Sequence, residues 1–412
     1  MNKPTLRHMF LSLLARIPVA ASQAGAPPRI VLIRPDHLGD LLFMTPALHA
    51  LRKAAPDAHI ACLVGPWGEA ILRDSPDLDQ LLTCDFPWFN RRPRGSLWQP
   101  YAALWREAQR LRAQRFDVAY VMRFDFWWGA ALARLAGIPR RIGYALPDVR
   151  PFLTEAMSYT PGLHEVEQNL RLVGDPHPQP LSQSWERGGS PQSPRLSQDR
   201  ERGGSPQHAL RFTVTAADAA WAAARLPAAA SQIPVPGSRP FIALHPGAGA
   251  LVKLWSVDGW VRVASELARQ HGATIVLTGG AAERDLAQSI ASRLSAPHTL
   301  LAGETSLSQL AAVFARCRLV LGADSGPLHL AVAVGAPTLH LFGPVDPALF
   351  GPWGDARRHI VVQARYFDQP CRNRPCNRLD YAADELWQHP CMQTITVADV
   401  LAAANQALGA DN

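Results

Sequence analysis

Short apolar runs alternate with longer stretches of helical spacing along most of this chain. Arg29–Arg34, Ala58–Val64, Gln80–Thr83 and Phe116–Met122 read as one set of strands; Phe241–Leu244, Ala273–Thr278, Thr299–Ala302, Leu319–Leu321 and Thr338–Phe342 read as a second. Runs this short, bounded by turn formers, suit strands covered on both faces. Between them, Leu41–Lys53, Trp67–Asp74, Tyr101–Gln114, Val257–Gln270 and Ser306–Arg316 repeat apolar residues at three-to-four spacing, and Ala398–Leu408 closes the chain the same way. Strand and helix taking turns at these lengths predict α/β architecture: two doubly wound parallel sheets, Rossmann-like, one in each half.

The pattern fails in three places, and these set the domain boundaries. Residues 1–27 carry a basic start and a short apolar centre broken by Arg16 and Pro18, which reads as an amphipathic extension able to rest on a membrane or as a disordered one. In 176–208, LSQSWERGGSPQ returns as LSQDRERGGSPQ, a composition too polar to bury a core, so a disordered repeat insertion is expected. Residues 209–240 hold an Ala-rich helix, Thr215–Arg225, and then a linker with four prolines. The expected domains are therefore 28–175 and 241–390, with 391–412 as closing helix and tail.

The formal net charge is +7, and between Arg91 and Arg150 twelve arginines face four acidic residues, so the first half favours an anionic partner. No nucleic-acid-binding motif accompanies that charge, and no apolar run spans a bilayer. Six cysteines in a chain of 412 residues read as reduced thiols of a cytosolic protein. Cys371, Cys376, His389 and Cys391 lack the usual zinc spacing, so no bound metal is expected there; no cofactor is expected to be required, and assistance by a divalent cation stays open.

Candidate chemistry sits in the loops that follow the strands. Asp324-Ser325-Gly326-Pro327 leaves a buried strand and opens a helix, which makes an anion site suited to a diphosphate, with His329 in its first turn. The loop His245–Ala250, with Gly247 and Ala248, offers bare backbone donors, and Lys253 adds a point charge. Glu283, beyond Gly279-Gly280, reads either as a first-turn carboxylate facing a helix dipole or as an acceptor for ribose hydroxyls. In the first half, Asp40 lies in the loop after the first strand, where a carboxylate can act as general base on a hydroxyl. Arg123, Arg140, Arg141 and Tyr144 are candidates to grip an anionic acceptor on the same rim.

Taken in order, G-D-x-x-x-x-T-P-A-L at 39–48, H-P-G-A at 245–248, K-x-W at 253–255, G-G-x-x-E at 279–283 and D-S-G-P-x-H at 324–329 running into F-G-P-x-D-P resemble glycosyltransferase family 9, the ADP-heptose:lipopolysaccharide heptosyltransferases. The resemblance covers most of residues 29–365. It implies a GT-B architecture whose two domains face a cleft, and inverting transfer of heptose from ADP-L-glycero-D-manno-heptose to the inner core of lipopolysaccharide. By the same resemblance Asp40 is the base, Lys253 neutralises the donor phosphates, Glu283 meets the ribose and Asp324 the heptose hydroxyls. Ser325 and Gly326 give backbone donors to the diphosphate, and Thr305 to Leu307 line the adenine. Some family members carry threonines where this chain has Gly247 and Ala248, so contacts there fall to the backbone. The expected setting is cytoplasmic, peripheral on the inner-membrane face. Two rivals stay open: a GT-B enzyme with another nucleotide-sugar donor, and a non-catalytic nucleotide-sugar-binding partner in envelope assembly. A nicotinamide dehydrogenase is disfavoured, because the first turn reads RPDHLGD and lacks G-x-G-x-x-G.

Overall fold

The structure, a computed structural model, describes residues 27–90, 98–174, 206–226, 239–365 and 375–409. The N-terminal extension, nearly all of the repeat insertion, the proline-rich linker and Cys371 lie outside the described residues. The chain divides into two units, 1–187 and 188–412, each with its own sheet.

In the first unit β1 (Arg29–Arg34), β2 (His59–Val64), β3 (Gln80–Thr83), β4 (Val118–Val121), β5 (Arg140–Tyr144) and β6 (Glu155–Met157) run parallel in the order β3-β2-β1-β4-β5-β6. The helices are α1 (Leu38–Ala54), α2 (Glu69–Leu72), α3 (Gln99–Arg112), α4 (Trp127–Leu135) and α5 (Glu165–Leu172). Val31, Ile33, Ala119 and Val121 on one face of the sheet pack with Leu104, Ala108 and Leu111 of α3 and with the buried side of α4. Helix α1 packs against α5.

Helix α1 departs from the regular pattern at its start and in its interior. It begins at Leu38, three residues before the apolar spacing predicts, which moves Asp40 from the loop into the first helical turn. It also carries Pro46 in its interior. Proline cannot donate to the carbonyl four residues back, and here the Thr45 hydroxyl donates to that carbonyl, Leu42 O, at 2.7 Å.

The second unit repeats the plan. Helix α6 (Ala216–Arg225), capped by Thr215, precedes β7 (Phe241–His245), α7 (Val257–His271), β8 (Thr274–Leu277), α8 (Arg284–Ala291), β9 (His298–Leu300), α9 (Leu307–Phe314), β10 (Leu319–Ala323), α10 (Gly326–Ala333), β11 (Thr338–Phe342), α11 (Pro347–Phe350), β12 (His359–Gln363) and α12 (Val397–Gly409). The sheet order β12-β11-β10-β7-β8-β9 is the first unit's order again. Helix α7 begins at a Ser256 cap, ends on Gly272 at φ 61°, and turns Trp260, Val263, Ala264 and Leu267 inward. Helix α12 packs on α7 and on β12.

Each sheet reverses direction of winding once, between β1 and β4 and between β7 and β10. Adjacent loops part there at the carboxyl ends of the strands and leave a crevice, which is where such sheets bind ligands. Among the described residues, no helix is long and apolar enough to cross a membrane.

Candidate functional site

At the switch point of the first unit, the chain leaves β1 with Arg34, Asp36 and Asp40 and leaves β4 with Arg123. Arg34 ends an apolar strand and is only 2% exposed. Its guanidinium is fully engaged: Nε lies 2.6 Å from Asp36 Oδ2, Nη2 donates to Glu165 Oε1 at 2.8 Å, and Nη1 donates to Met122 O and Asn169 Oδ1. Asp36, held on one side by Arg34, is paired on the other with Arg123. Glu165 and Asn169 arrive from α5, and Asn169 also donates to Phe43 O in α1 at 3.2 Å, which fixes α1 against the cluster.

Asp40 is the open member of this group. Its Oδ1 stands 3.6 Å from Arg34 Nη2, and 36% of its side-chain surface remains exposed against 3% for Asp36 and 8% for Glu165. Arg123 Nε also lies 2.6 Å from Asp125 Oδ1, so four carboxylates meet two guanidiniums and negative charge is in excess. Desolvation by the surrounding sheet end and then the Asp36 carboxylate raise the Asp40 proton affinity, Arg34 opposes them, and the result is about 7. The helix cap is His37, so Asp40, in the first turn, is not the capping residue. A carboxylate of this kind, partly open and half-ionised near neutrality, is suited to take a proton.

Of the four acceptor candidates, the structure brings only Arg123 to this cluster. Arg141 is a correction: its side chain is buried, donating Nε to Phe152 O at 2.7 Å and Nη1 to the carbonyls of Ile138 and Pro139. Burial lowers its proton affinity to about 10. Tyr144 is the second correction, since its hydroxyl donates to Gln168 O at 2.6 Å in the interior. Both hold β5 and α5 in place. Arg140 sits at the start of β5, paired with Glu155 at 2.5 Å.

The second unit's switch point joins Lys253, Asp324 and the start of α10. Lys253 Nζ lies 2.6 Å from Asp324 Oδ2 and donates to the Asp324 carbonyl at 3.3 Å, while His329 Nε2 stands 3.7 Å from Asp324 Oδ1. Burial works against the Asp324 charge, but the His329 hydrogen bond and the Lys253 ammonium outweigh it and hold the carboxyl below its ordinary range. Asp324 is thus held by these cations, and Ser325, extended at φ −158°, takes the cap position, with Gly326 and Pro327 opening the helix. Ser325 Oγ is buried without a hydrogen-bond partner. Behind α10, His340 Nε2 meets Thr338 Oγ1 at 2.9 Å, and the same hydroxyl meets His359 Nδ1 at 3.0 Å. Desolvation keeps both rings neutral, His359 at about 4.

On the next strand, Glu283 Oε2 accepts from Gly280 N–H at 2.7 Å and approaches His245 Nε2 at 3.7 Å. Its carboxylate occupies the space beside Gly247, where a Cβ would fall 1.9 Å from Oε1. The glycine is therefore what lets the two loops touch. Gly303 N–H donates to Gly279 O at 2.9 Å, which draws Thr305 and Leu307 toward the same turn; Ser306 between them caps α9. Ala248 packs on the core below.

Arg34, Asp36, Glu165, Asn169, Thr338 and His340 escape sequence reading. The one signal for the first pair is an arginine and an aspartate closing an otherwise apolar strand, R-I-V-L-I-R-P-D. Near the C-terminus Cys391 is buried beside Gly343, Cys376 is exposed, and His389 stacks on Tyr381 at 3.8 Å. Among the described residues, no group of three His, Cys, Asp or Glu is arranged to hold a metal.

The profile of glycosyltransferase family 9 (heptosyltransferase) matches residues 104–382. Lipopolysaccharide heptosyltransferase 2 of Escherichia coli strain K12 is 25% identical over 360 residues, covering 82% of this chain and 89% of the relative. Lipopolysaccharide heptosyltransferase 1 of Pseudomonas aeruginosa PAO1 is 26% identical, covering 84% and 87%. Among solved structures, a glycosyl transferase family 9 protein from Veillonella parvula superposes with a TM-score of 0.71 at 20% identity, over 94% of this chain and 99% of that one. The two doubly wound units are those of the GT-B fold.

Proposed function

The chain belongs to glycosyltransferase family 9, the heptosyltransferases, and from that premise we propose that it transfers heptose from an ADP-heptose to the inner core of lipopolysaccharide. The observation that carries the reading is the state of Asp40: a carboxylate at the sheet's switch point, open on one side, with its proton affinity raised to about 7. That is the affinity a general base needs near neutral pH.

In this reading the second unit holds the donor. The N–H groups of Ser325 and Gly326, at the positive end of α10, and Lys253 face the diphosphate and take up its charge as it departs. Asp324 turns to sugar hydroxyls, Glu283 to the ribose, and Thr305 and Leu307 to the base. His329 holds Asp324 and supports the same end of the helix. In the first unit Asp40 removes the proton from an acceptor hydroxyl as that oxygen attacks the anomeric carbon, with inversion, while Arg123 offers charge to an anionic acceptor. The reaction is proposed to need no cofactor. Because the acceptor is borne on a lipid, the protein is placed on the cytoplasmic face of the inner membrane.

Asp40→Asn tests this directly. The variant is expected to bind ADP-heptose like the parent in calorimetry and to lose transfer by at least about a hundredfold. In the parent, the active form is ionised Asp40, so turnover is full above pH 7 and falls as pH drops through about 7. Turnover by the Asn variant at the parent's rate removes Asp40 from the role. A panel of nucleotide sugars tests the donor, since preference for a different one favours the GT-B rival.

A further inference from the structure

The first unit carries an exposed aromatic surface that none of the proposed chemistry uses. Trp98, at the cap of α3, is 77% exposed, and Trp105, two turns on and so on the same face, is 58% exposed; Trp88 in the preceding turn is 53% exposed. Leu104, Ala108 and Leu111 occupy the opposite face of α3, against the core. The tryptophans are therefore outside because the helix is already correctly seated. The same helix holds three arginines against one acid, Glu107, which is paired with Arg110 at 2.8 Å. Arg106 is exposed beside Trp105.

This surface is continuous with the acceptor end of the site. Trp98 meets Tyr101 at 6.3 Å between ring centres, Tyr101 meets Trp127 at 6.3 Å, and Trp127 meets Trp88 at 5.9 Å. The next residue, Phe89, lies under the Arg123 guanidinium at 5.2 Å, and Arg123 is paired with Asp36. A line of rings thus runs from the exposed helix to the cluster that holds Asp40.

We propose that α3, through Trp98 and Trp105, seats this protein on a bilayer with anionic headgroups, next to the entrance that the acceptor uses. Tryptophan prefers the headgroup region, where an apolar ring and a polar N–H are both satisfied, and a net positive helix is drawn to an anionic leaflet. The inference rests on the lipid-borne acceptor of the proposed function and adds to it the surface that meets the membrane.

The full chain is mixed with vesicles of phosphatidylethanolamine and phosphatidylglycerol and sedimented, with phosphatidylcholine vesicles alongside. No donor or acceptor is present, so the result is independent of transfer. The parent is expected to bind the anionic vesicles and much less the neutral ones. Trp98→Ala with Trp105→Ala is expected to weaken binding about tenfold, and Arg106→Glu to act in the same direction. Both variants keep ADP binding and keep transfer to a delipidated core acceptor, while transfer to acceptor embedded in vesicles falls. Vesicle binding at the parent's level by both variants overturns the proposal, as does a parent that ignores anionic vesicles. A change in oligomeric state in place of vesicle binding also overturns it, because the surface is then a protein interface. Vesicle binding by a parent that makes no product keeps the docking surface and sinks the transferase reading.

Discussion

An excess of negative charge explains the behaviour of the first cluster at the level of residues. Asp36 and Glu165 are themselves buried and held by the buried Arg34, so the carboxylate able to accept a proton most cheaply is the open one, Asp40. Each neighbouring carboxylate raises its proton affinity and each guanidinium lowers it. Glu165→Gln removes one of the raising charges, so the acid limb of the turnover profile is expected to move to lower pH, and an unmoved limb would show that Glu165 does not govern Asp40. Asp40 was visible in sequence through its Gly-Asp turn, and Lys253, Glu283 and Asp324 through glycine-bearing loops. Arg34 and Glu165 were not, because nothing in a linear string says that residues 131 positions apart share an ion pair. In the second unit Lys253 and Asp324 are 13% and 7% exposed and depend on each other. Lys253→Met leaves the buried Asp324 carboxylate with His329 but without its ammonium partner and is expected to cost about 3 kcal/mol in chemical denaturation. Adding Asp324→Asn in that background should recover most of the loss, which separates stability from donor binding; both variants lose donor affinity.

At the level of elements, strands seen from sequence were mostly those with unbroken apolar runs, such as Phe241–Leu244. Three were missed: β5, Arg140–Tyr144, an interior strand that opens on two arginines, and the two edge strands β6, with three residues, Glu155–Met157, and β12, half-buried throughout. Edge strands face solvent on one side and need no continuous apolar run. The centre of the second sheet is tighter. At Gly322 in β10 a Cβ would stand 2.6 Å from the His245 carbonyl oxygen and 2.4 Å from a Leu328 methyl. One of these is backbone and cannot swing away. Gly322→Ala is therefore expected to destabilise the protein by about 1–3 kcal/mol, read as a lowered thermal midpoint. Gly249→Ala, which meets nothing within 4 Å, should leave it unchanged.

For the whole molecule, two sheets with separate cores predict two unfolding events. Calorimetry is expected to resolve two transitions. ADP at a hundred times its dissociation constant should raise the stability of one by about 2.7 kcal/mol and leave the other in place. Equal displacement of both would show that the nucleotide is not confined to the second unit.

The shared strand order has a consequence during synthesis. The first unit's last structural helix, α5, ends at Leu172, so every piece that covers its sheet has left the ribosome while the second half is still being made. The second unit cannot finish so early: α12, at Val397–Gly409, supplies Val400, Ala404 and Leu408 to its core. A nascent chain thus carries a completed first half from Leu172 onward, and an open second sheet from Phe241 until α12 is made. That exposed sheet is the part of this protein that calls for a chaperone.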